Sequence, residues 1–79
     1  MRVCVKLFGT LPRYYFGTYP DTGLDVEISK NTSVAELVEL LKLPRKFIAI
    51  VTINGMLAKG NEVVPDSAEV KLFQTFSGG

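Results

Sequence analysis

The sequence predicts a small α+β domain in which one amphipathic helix packs on one face of a β-sheet. Residues 2–8 (RVCVKLF) alternate apolar and polar side chains, as half-buried strands do. Residues 33–43 (SVAELVELLKL) instead repeat apolar side chains with helical spacing. A chain of 79 residues, 47% of them apolar, suits one domain with a nearly continuous core. We therefore expect residues 1–79 to form a single domain.

The first two predicted strands lie at residues 2–8 and 24–29. Their inward positions carry only aliphatic side chains, which are Val3, Val5, Leu7, Leu24, Val26 and Ile28. In an antiparallel pair, the acidic side chains of the second strand can face Arg2 and Lys6 of the first. Residues 9–23 are rich in glycine, proline and aromatic residues. They predict a long loop that folds back onto the end of the sheet or forms a docking surface.

The helix at residues 33–43 has start and stop signals as well as the correct spacing. Ser33 followed three residues later by Glu36 forms a capping-box pattern. The apolar stripe of the helix consists of Val34, Leu37, Val38 and Leu41. Pro44 is expected to end the helix, because the residue before a proline is pushed out of the helical region.

The second half of the chain predicts three more strands. Residues 46–53 (KFIAIVTI) are apolar on both faces, which indicates an interior strand. The Asn54-Gly55 pair predicts a hairpin turn into a short strand at residues 56–58. Residues 69–76 (EVKLFQTF) form the last predicted strand, with Val70 and Leu72 inward. This order predicts a β-grasp, the ubiquitin-like roll, a mixed sheet of about five strands whose first and last strands are parallel at its centre.

The composition argues against several functions. A net charge of +1 gives no electrostatic case for binding nucleic acid, whose binders usually show a strongly basic face. Cys4 is the only cysteine, so no internal disulfide or cysteine metal cage is expected, and a reducing cytoplasm is the simplest setting. The longest apolar run, residues 47–51, is too short to cross a membrane. Without histidine or a glycine-rich phosphate loop, the chain is poorly equipped as an enzyme and is expected to bind no cofactor or metal.

The chain ends in two glycines directly after the predicted last strand. That strand would deliver Phe76, Ser77, Gly78 and Gly79 off the edge of the sheet, and we expect residues 77–79 to be disordered or extended. Glycine has no side chain to block a narrow channel in a partner. The carboxylate of Gly79 is then the distinctive chemical group, and its activation requires ATP bound by a partner.

Two further positions in the predicted strands carry candidate functions. Phe73 falls on the outward face of the last strand with Lys71 and Thr75, where a solvent-facing aromatic can anchor a partner interface. Alternatively, a loop covers Phe73. Cys4 is expected to be a half-buried filler rather than a sulfur relay, because thiol reactivity needs an exposed, pKa-lowering setting.

Over essentially its whole length the chain resembles the MoaD/ThiS group of ubiquitin-like sulfur carriers. The similar segments are residues 5–17, 32–41, 53–58 and 69–79. The resemblance implies that a ubiquitin-activating-like adenylyltransferase uses ATP to adenylate Gly79, with Gly78 as its narrow neighbour. A sulfur donor would then convert the adenylate to a thiocarboxylate, which delivers sulfur to an acceptor synthase. The carrier itself would be a cosubstrate rather than a catalyst.

The resemblance leaves more than one pathway open. The segment LFGTLPRYYFG (7–17) is similar to the molybdopterin synthase small subunit, whose partner would be the large subunit, for molybdenum or tungsten cofactor. The ending LFQTFSGG (72–79) is similar to thiamine-type carriers, whose acceptor would be thiazole synthase. The molybdopterin branch is favoured. The roles of a ubiquitin-like protein modifier and of a plain interaction module also stay open, whereas a single cysteine excludes an iron–sulfur β-grasp.

Overall fold

Five strands and one α-helix make up the fold, and the computed structural model describes them over residues 1–74. The strands are β1 (Arg2–Leu7), β2 (Leu24–Glu27), β3 (Ile48–Ile53), β4 (Met56–Ala58) and β5 (Glu69–Gln74), and the helix is α1 (Val34–Leu40). Two 3-10 helices lie at Leu11–Tyr14 and Arg45–Phe47. Within residues 1–74, no helix has the length and hydropathy needed to cross a membrane. The predicted end of the last strand and the tail at residues 77–79 lie outside the described residues.

The sheet has the strand order β2-β1-β5-β3-β4. β1 and β5 are parallel at its centre, with Val5 opposite Val70. The β1–β2, β3–β5 and β3–β4 pairs are antiparallel. This mixed sheet, with one helix on one face, confirms the predicted β-grasp.

The core lies between the inner face of the sheet and α1. The sheet contributes the buried side chains Val3, Val5, Leu7, Leu24, Val70 and Leu72. The predicted helix stripe of Val34, Leu37, Val38 and Leu41 faces them and is buried throughout. The ends of this layer are closed by Leu11 of the first 3-10 helix and by the loop residues Leu43, Val64 and Ala68, which are also buried. Burial of aliphatic side chains from nearly every segment is what stabilises so short a chain.

The helix begins as predicted and ends earlier than predicted. Ser33 accepts a hydrogen bond from the Glu36 N–H, and the Glu36 carboxylate accepts one from the Ser33 N–H, which is the complete capping box. The prediction that Pro44 ends the helix is wrong. α1 stops at Leu40, and Lys42 adopts a left-handed φ of 59°. The Leu43 N–H then donates to the Val38 carbonyl at 3.3 Å, which closes a Schellman-type helix end before the proline is reached.

The charged pairs on the outward face are only partly those predicted. Arg2 contacts Asp25 at 3.0 Å and Glu27 at 3.6 Å across the β1–β2 ladder, as expected. Lys6 does not contact either acid. It pairs with Glu69 at 3.0 Å, because β5 flanks β1 on the other side and presents that carboxylate on the same face.

The loop and hairpin predictions hold, whereas β3 is less buried than predicted. The Leu7 N–H donates to the Tyr19 hydroxyl at 2.9 Å, so the 9–23 loop does fold back on the sheet. Asn54 and Gly55 both have positive φ, as their hairpin turn requires. β3 is interior in the strand order, but Ile50 is 46% exposed because no layer formed by residues 1–74 covers the outer face of the sheet there.

Candidate functional site

The end of β5 is fixed by its neighbours at the point from which residues 75–79 continue. β5 pairs with β1 on one edge and with β3 on the other. Its last described residue, Gln74, accepts a hydrogen bond on Oε1 from the Thr10 N–H at 2.7 Å. Gly9 makes this approach possible, since its φ is +68° and an added Cβ would lie 3.1 Å from the Gln74 Cβ. The chain beyond Gln74 therefore starts from a held position.

Beside this end of β5, the outer face of the sheet carries an exposed apolar surface. The Phe73 and Phe8 rings stack with their centroids 4.8 Å apart and an interplanar angle of 12°. Ile50 of β3 lies opposite Phe73 on its other side. Phe8 is 38% exposed and Ile50 46%, so solvent reaches this row from both ends. We call Phe8, Phe73 and Ile50 the outer patch.

A row of charged side chains borders the outer patch, two residues before Phe8 and Phe73 along the chain. Lys6 and Lys71 are Cα partners on adjacent strands, and both contact Glu69, at 3.0 and 3.9 Å. The hydrogen bond from Lys6, reinforced by its charge, holds the pKa of the Glu69 carboxyl below its ordinary value. The same contact raises the pKa of Lys6. The apolar row is thus bordered by the charged side chains of Lys6, Glu69 and Lys71.

The predicted site residues fall into two groups. Phe73 and Lys71 lie together on the outer face, and Phe73 is half-buried with its ring stacked against that of Phe8. Thr75 and the residues Phe76, Ser77, Gly78 and Gly79 lie outside the described residues. Cys4 is half-buried, with its thiol 3.7 Å from the Thr22 carbonyl, which agrees with a filler role.

Sequence reasoning missed two members of the outer patch. Alternation places Phe8 on the outward face of the first strand, but it does not reveal the neighbour of Phe8 on the last strand. In-register parallel pairing, Leu7 opposite Leu72, places the Phe8 and Phe73 rings side by side. Ile50 gives no distinct signal, because the segment around it is apolar on both faces.

The described part of the chain offers no metal site. Residues 1–74 contain no group of three His, Cys, Asp or Glu side chains placed to hold a metal ion. What the structure does bring together is an apolar row, a charged row and a fixed origin for the C-terminal residues. Such an arrangement can position a peptide end against another protein.

The fold and this site define a ubiquitin-like β-grasp protein whose central strand leads directly to its C-terminal residues. The sequence profile of the ThiS family matches residues 5–79, so the chain belongs to the ThiS family. Proteins of this family are small ubiquitin-like carriers that work with an activating enzyme and an acceptor and are generally not catalysts themselves.

Solved structures support the fold assignment. The structure of SAMP1 from Haloferax volcanii is similar with a TM-score of 0.72 and 24% identity, covering 100% of both chains. A structure of the H. volcanii small archaeal modifier protein 1 has a TM-score of 0.66 and 22% identity, covering 91% of this chain and 94% of that one. At such identities the likeness concerns the fold. Comparison with curated proteins finds no match.

Proposed function

We propose that the protein is a sulfur carrier in which the carboxyl group of Gly79 is the reactive site. An activating adenylyltransferase binds ATP and joins AMP to this carboxylate, releasing pyrophosphate. A sulfide equivalent (HS⁻) from a donor then attacks the acyl carbon and displaces AMP, leaving a thiocarboxylate. The carrier delivers this sulfur to an acceptor synthase and regains its carboxylate, so it is a cosubstrate and not a catalyst.

The family match carries this proposal, because it extends through the two terminal glycines. The held position of Gln74 adds support, since a reactive group is delivered accurately only from a fixed base. Molybdopterin, for a molybdenum or tungsten cofactor, is the proposed product. This choice rests on the similarity of residues 7–17 to the molybdopterin synthase small subunit, and the thiamine thiazole is the alternative.

Intact mass of the protein purified from its native host tests the chemistry. A thiocarboxylate adds the mass difference between sulfur and oxygen, and this increment should disappear in a variant lacking Gly79. That variant should retain its stability within about ±0.5 kcal/mol, as surface changes do. Thiocarboxylation of a chain ending at Gly78 at the normal rate would contradict the proposed site.

The outer patch is the proposed contact for the activating enzyme, together with Lys71 and Thr75. Phe73→Ala should raise the KM for the carrier in ATP-dependent adenylation by roughly 5- to 30-fold, the effect of losing 1–2 kcal/mol at an aromatic anchor. Phe16→Ala is the matched control, because Phe16 is 75% exposed and lies outside the patch. Equal KM values for the two variants would remove the patch from the interface.

A second candidate function is that of a protein modifier. One similar structure is named a small archaeal modifier protein, which favours testing whether Gly79 also forms an amide bond with a lysine of another protein. An N-terminally tagged chain expressed in its host would then appear in larger covalent species that resist thiols and disappear without Gly79. Absence of such species, together with the sulfur mass increment, would leave the carrier role alone.

A further inference from the structure

β3 has an open backbone edge on the side away from β5. β4 pairs with β3 only from Val51 to Ile53. Within residues 1–74, the first half of β3, residues 48–50, pairs with β5 alone. The short length of β4 therefore leaves a place in the sheet, in line with β4, that none of the described residues fills. Unpaired strand edges of this kind are templates for another strand.

An apolar groove lies beside this open edge, between the sheet and α1. Its volume is about 440 Å³. Val34 and Val38 form the helix wall, while Ile48 and Val51 of β3 and Ala58 of β4 form the sheet side. The register shift between Ile48 and Ile50 allows Ile48 and Val51, three residues apart, to lie on the same face of the sheet. A strand laid along the open edge would direct every second side chain into the groove.

The two ends of the groove differ in charge. Lys59 and Glu62 line the end where the chain leaves β4, and their charges offset each other. Arg45 lines the other end and is followed by Lys46. Arg45 is exposed and forms no ion pair within residues 1–74. A carboxylate on a bound segment would complement this basic end.

We propose that this groove binds an extended segment of another protein that completes the sheet beside residues 48–50. The segment carries apolar side chains at alternate positions, which enter the groove, and an Asp or Glu where it passes Arg45. Main-chain pairing supplies affinity in this mode and the side-chain pockets supply selectivity. This binding site meets the outer patch only at Ile50, which lines both, and it does not depend on the chemistry of Gly79.

Two other occupants fit less well. A second copy of the chain would bring its own β4 along with β3, and that strand would occupy the space of the 3-10 helix Arg45–Phe47. The segment 75–79 of this chain offers the Gly79 carboxylate as its one acidic group, but it continues from Gln74, which lies on the opposite edge of β3. Strand geometry therefore favours an acidic segment of a partner protein, which complements Arg45, over both of these occupants.

Selection from a random dodecapeptide phage library on the full-length protein tests the inference. Enriched peptides should alternate apolar residues and carry an acidic residue at one end. In NMR spectra, a synthetic enriched peptide should shift the amide signals of residues 48–50 and slow exchange of the N–H groups at the open edge. Enriched peptides that lack this pattern, or that shift Phe8 and Phe73 instead, would overturn the proposal.

Two variants sharpen the test. Arg45→Glu should weaken peptide binding about tenfold, since a favourable charge pair becomes a repulsive one. Arg13→Glu is the matched control, because Arg13 is exposed on the 3-10 helix Leu11–Tyr14 and lies outside the groove. Ala35→Leu, on the groove wall, should fill the groove and abolish binding while the amide spectrum keeps its folded dispersion. Equal losses for the two charge reversals, or full binding by Ala35→Leu, would contradict the site.

The other occupants give distinct results. If residues 75–79 occupy the groove, a chain ending at Gln74 should bind the peptide at least about tenfold more tightly, a gain of roughly 1.4 kcal/mol. If a second copy occupies it, sedimentation should show a dimer that the peptide dissociates. Either outcome would overturn the assignment to a partner protein, whereas unchanged affinity and a monomer support it.

Discussion

Gly9 links the stability of the fold to the position of the C-terminal residues. Its φ of +68° lies in the left-handed region, and an added Cβ would meet the Gln74 side chain. Gly9→Ala should therefore have two effects. It should strain the backbone by about 1–2 kcal/mol, and it should displace the Gln74 amide from the Thr10 N–H, at a cost of about 1 kcal/mol.

Gly55→Ala provides a control that separates these effects. Gly55 has a φ of +87°, but no heavy atom of the described residues lies within 4 Å of where an added Cβ would be. Both variants should lose backbone stability, and each kcal/mol should lower Tm by about 4–8 °C for a domain of this size. The Tm of Gly9→Ala should be lower than that of Gly55→Ala by about 4–8 °C, which corresponds to the additional loss of about 1 kcal/mol. Thermal unfolding followed by circular dichroism measures both values.

Only Gly9→Ala should also slow ATP-dependent adenylation, measured at a temperature where both variants are folded. A misplacement of about 1 Å in a reacting group can lower the rate roughly 100-fold. A displacement of Gln74, from which residues 75–79 continue, should therefore lower the adenylation rate measurably. Adding Gln74→Ala to Gly9→Ala should recover part of the lost stability, because the crowded amide is gone. Equal adenylation rates for the two glycine variants would refute the link between this contact and delivery of Gly79.

Two further predictions concern the core and the charged row. Leu37→Ala should lower the free energy of unfolding, measured in urea, by about 2–5 kcal/mol, because Leu37 is fully buried in the helix–sheet layer. Leu40→Ala should change it by no more than about 0.5 kcal/mol, because Leu40 is 53% exposed. Similar losses for the two variants would show that the packed face of the helix is misassigned. The contact with Lys6 lowers the pKa of Glu69, so it stabilises the fold above the ordinary carboxyl value of 4.5 and is lost as pH falls through the lower folded-state pKa. The stability difference between wild type and Glu69→Gln should shrink over that acidic range, and a difference independent of pH would contradict the pairing.

Local patterns in the sequence predict most of the fold. Alternation in β1 and the apolar stripe of α1 fix which side chains are buried, because one periodicity matches each element. The capping box at Ser33 and Glu36 is equally local and is present as predicted. These features depend on residues close together in the chain, so the sequence shows them directly.

The errors concern contacts between distant segments. Alternation alone pairs Lys6 with the acids of β2, but parallel β1–β5 pairing brings Glu69 nearer. The same pairing creates the Phe8–Phe73 stack, which neither strand indicates alone. The helix end at Lys42 depends on a backbone conformation that a lysine adopts rarely, and sequence rules favour glycine there. The site is therefore predictable as an outward Phe73 and Lys71, but not as a patch.

The place of β5 in the sheet explains why its end is a suitable base for a reactive terminus. An edge strand frays, because half of its backbone groups pair only with water. β5 is paired on both sides, and its inward Val70 and Leu72 are fully buried, so its position is set by the whole core. Only the outward side chains of β5 remain available to a partner. Stability and partner contact thus occupy opposite faces of one strand, and changes at Phe73 can alter recognition without opening the core.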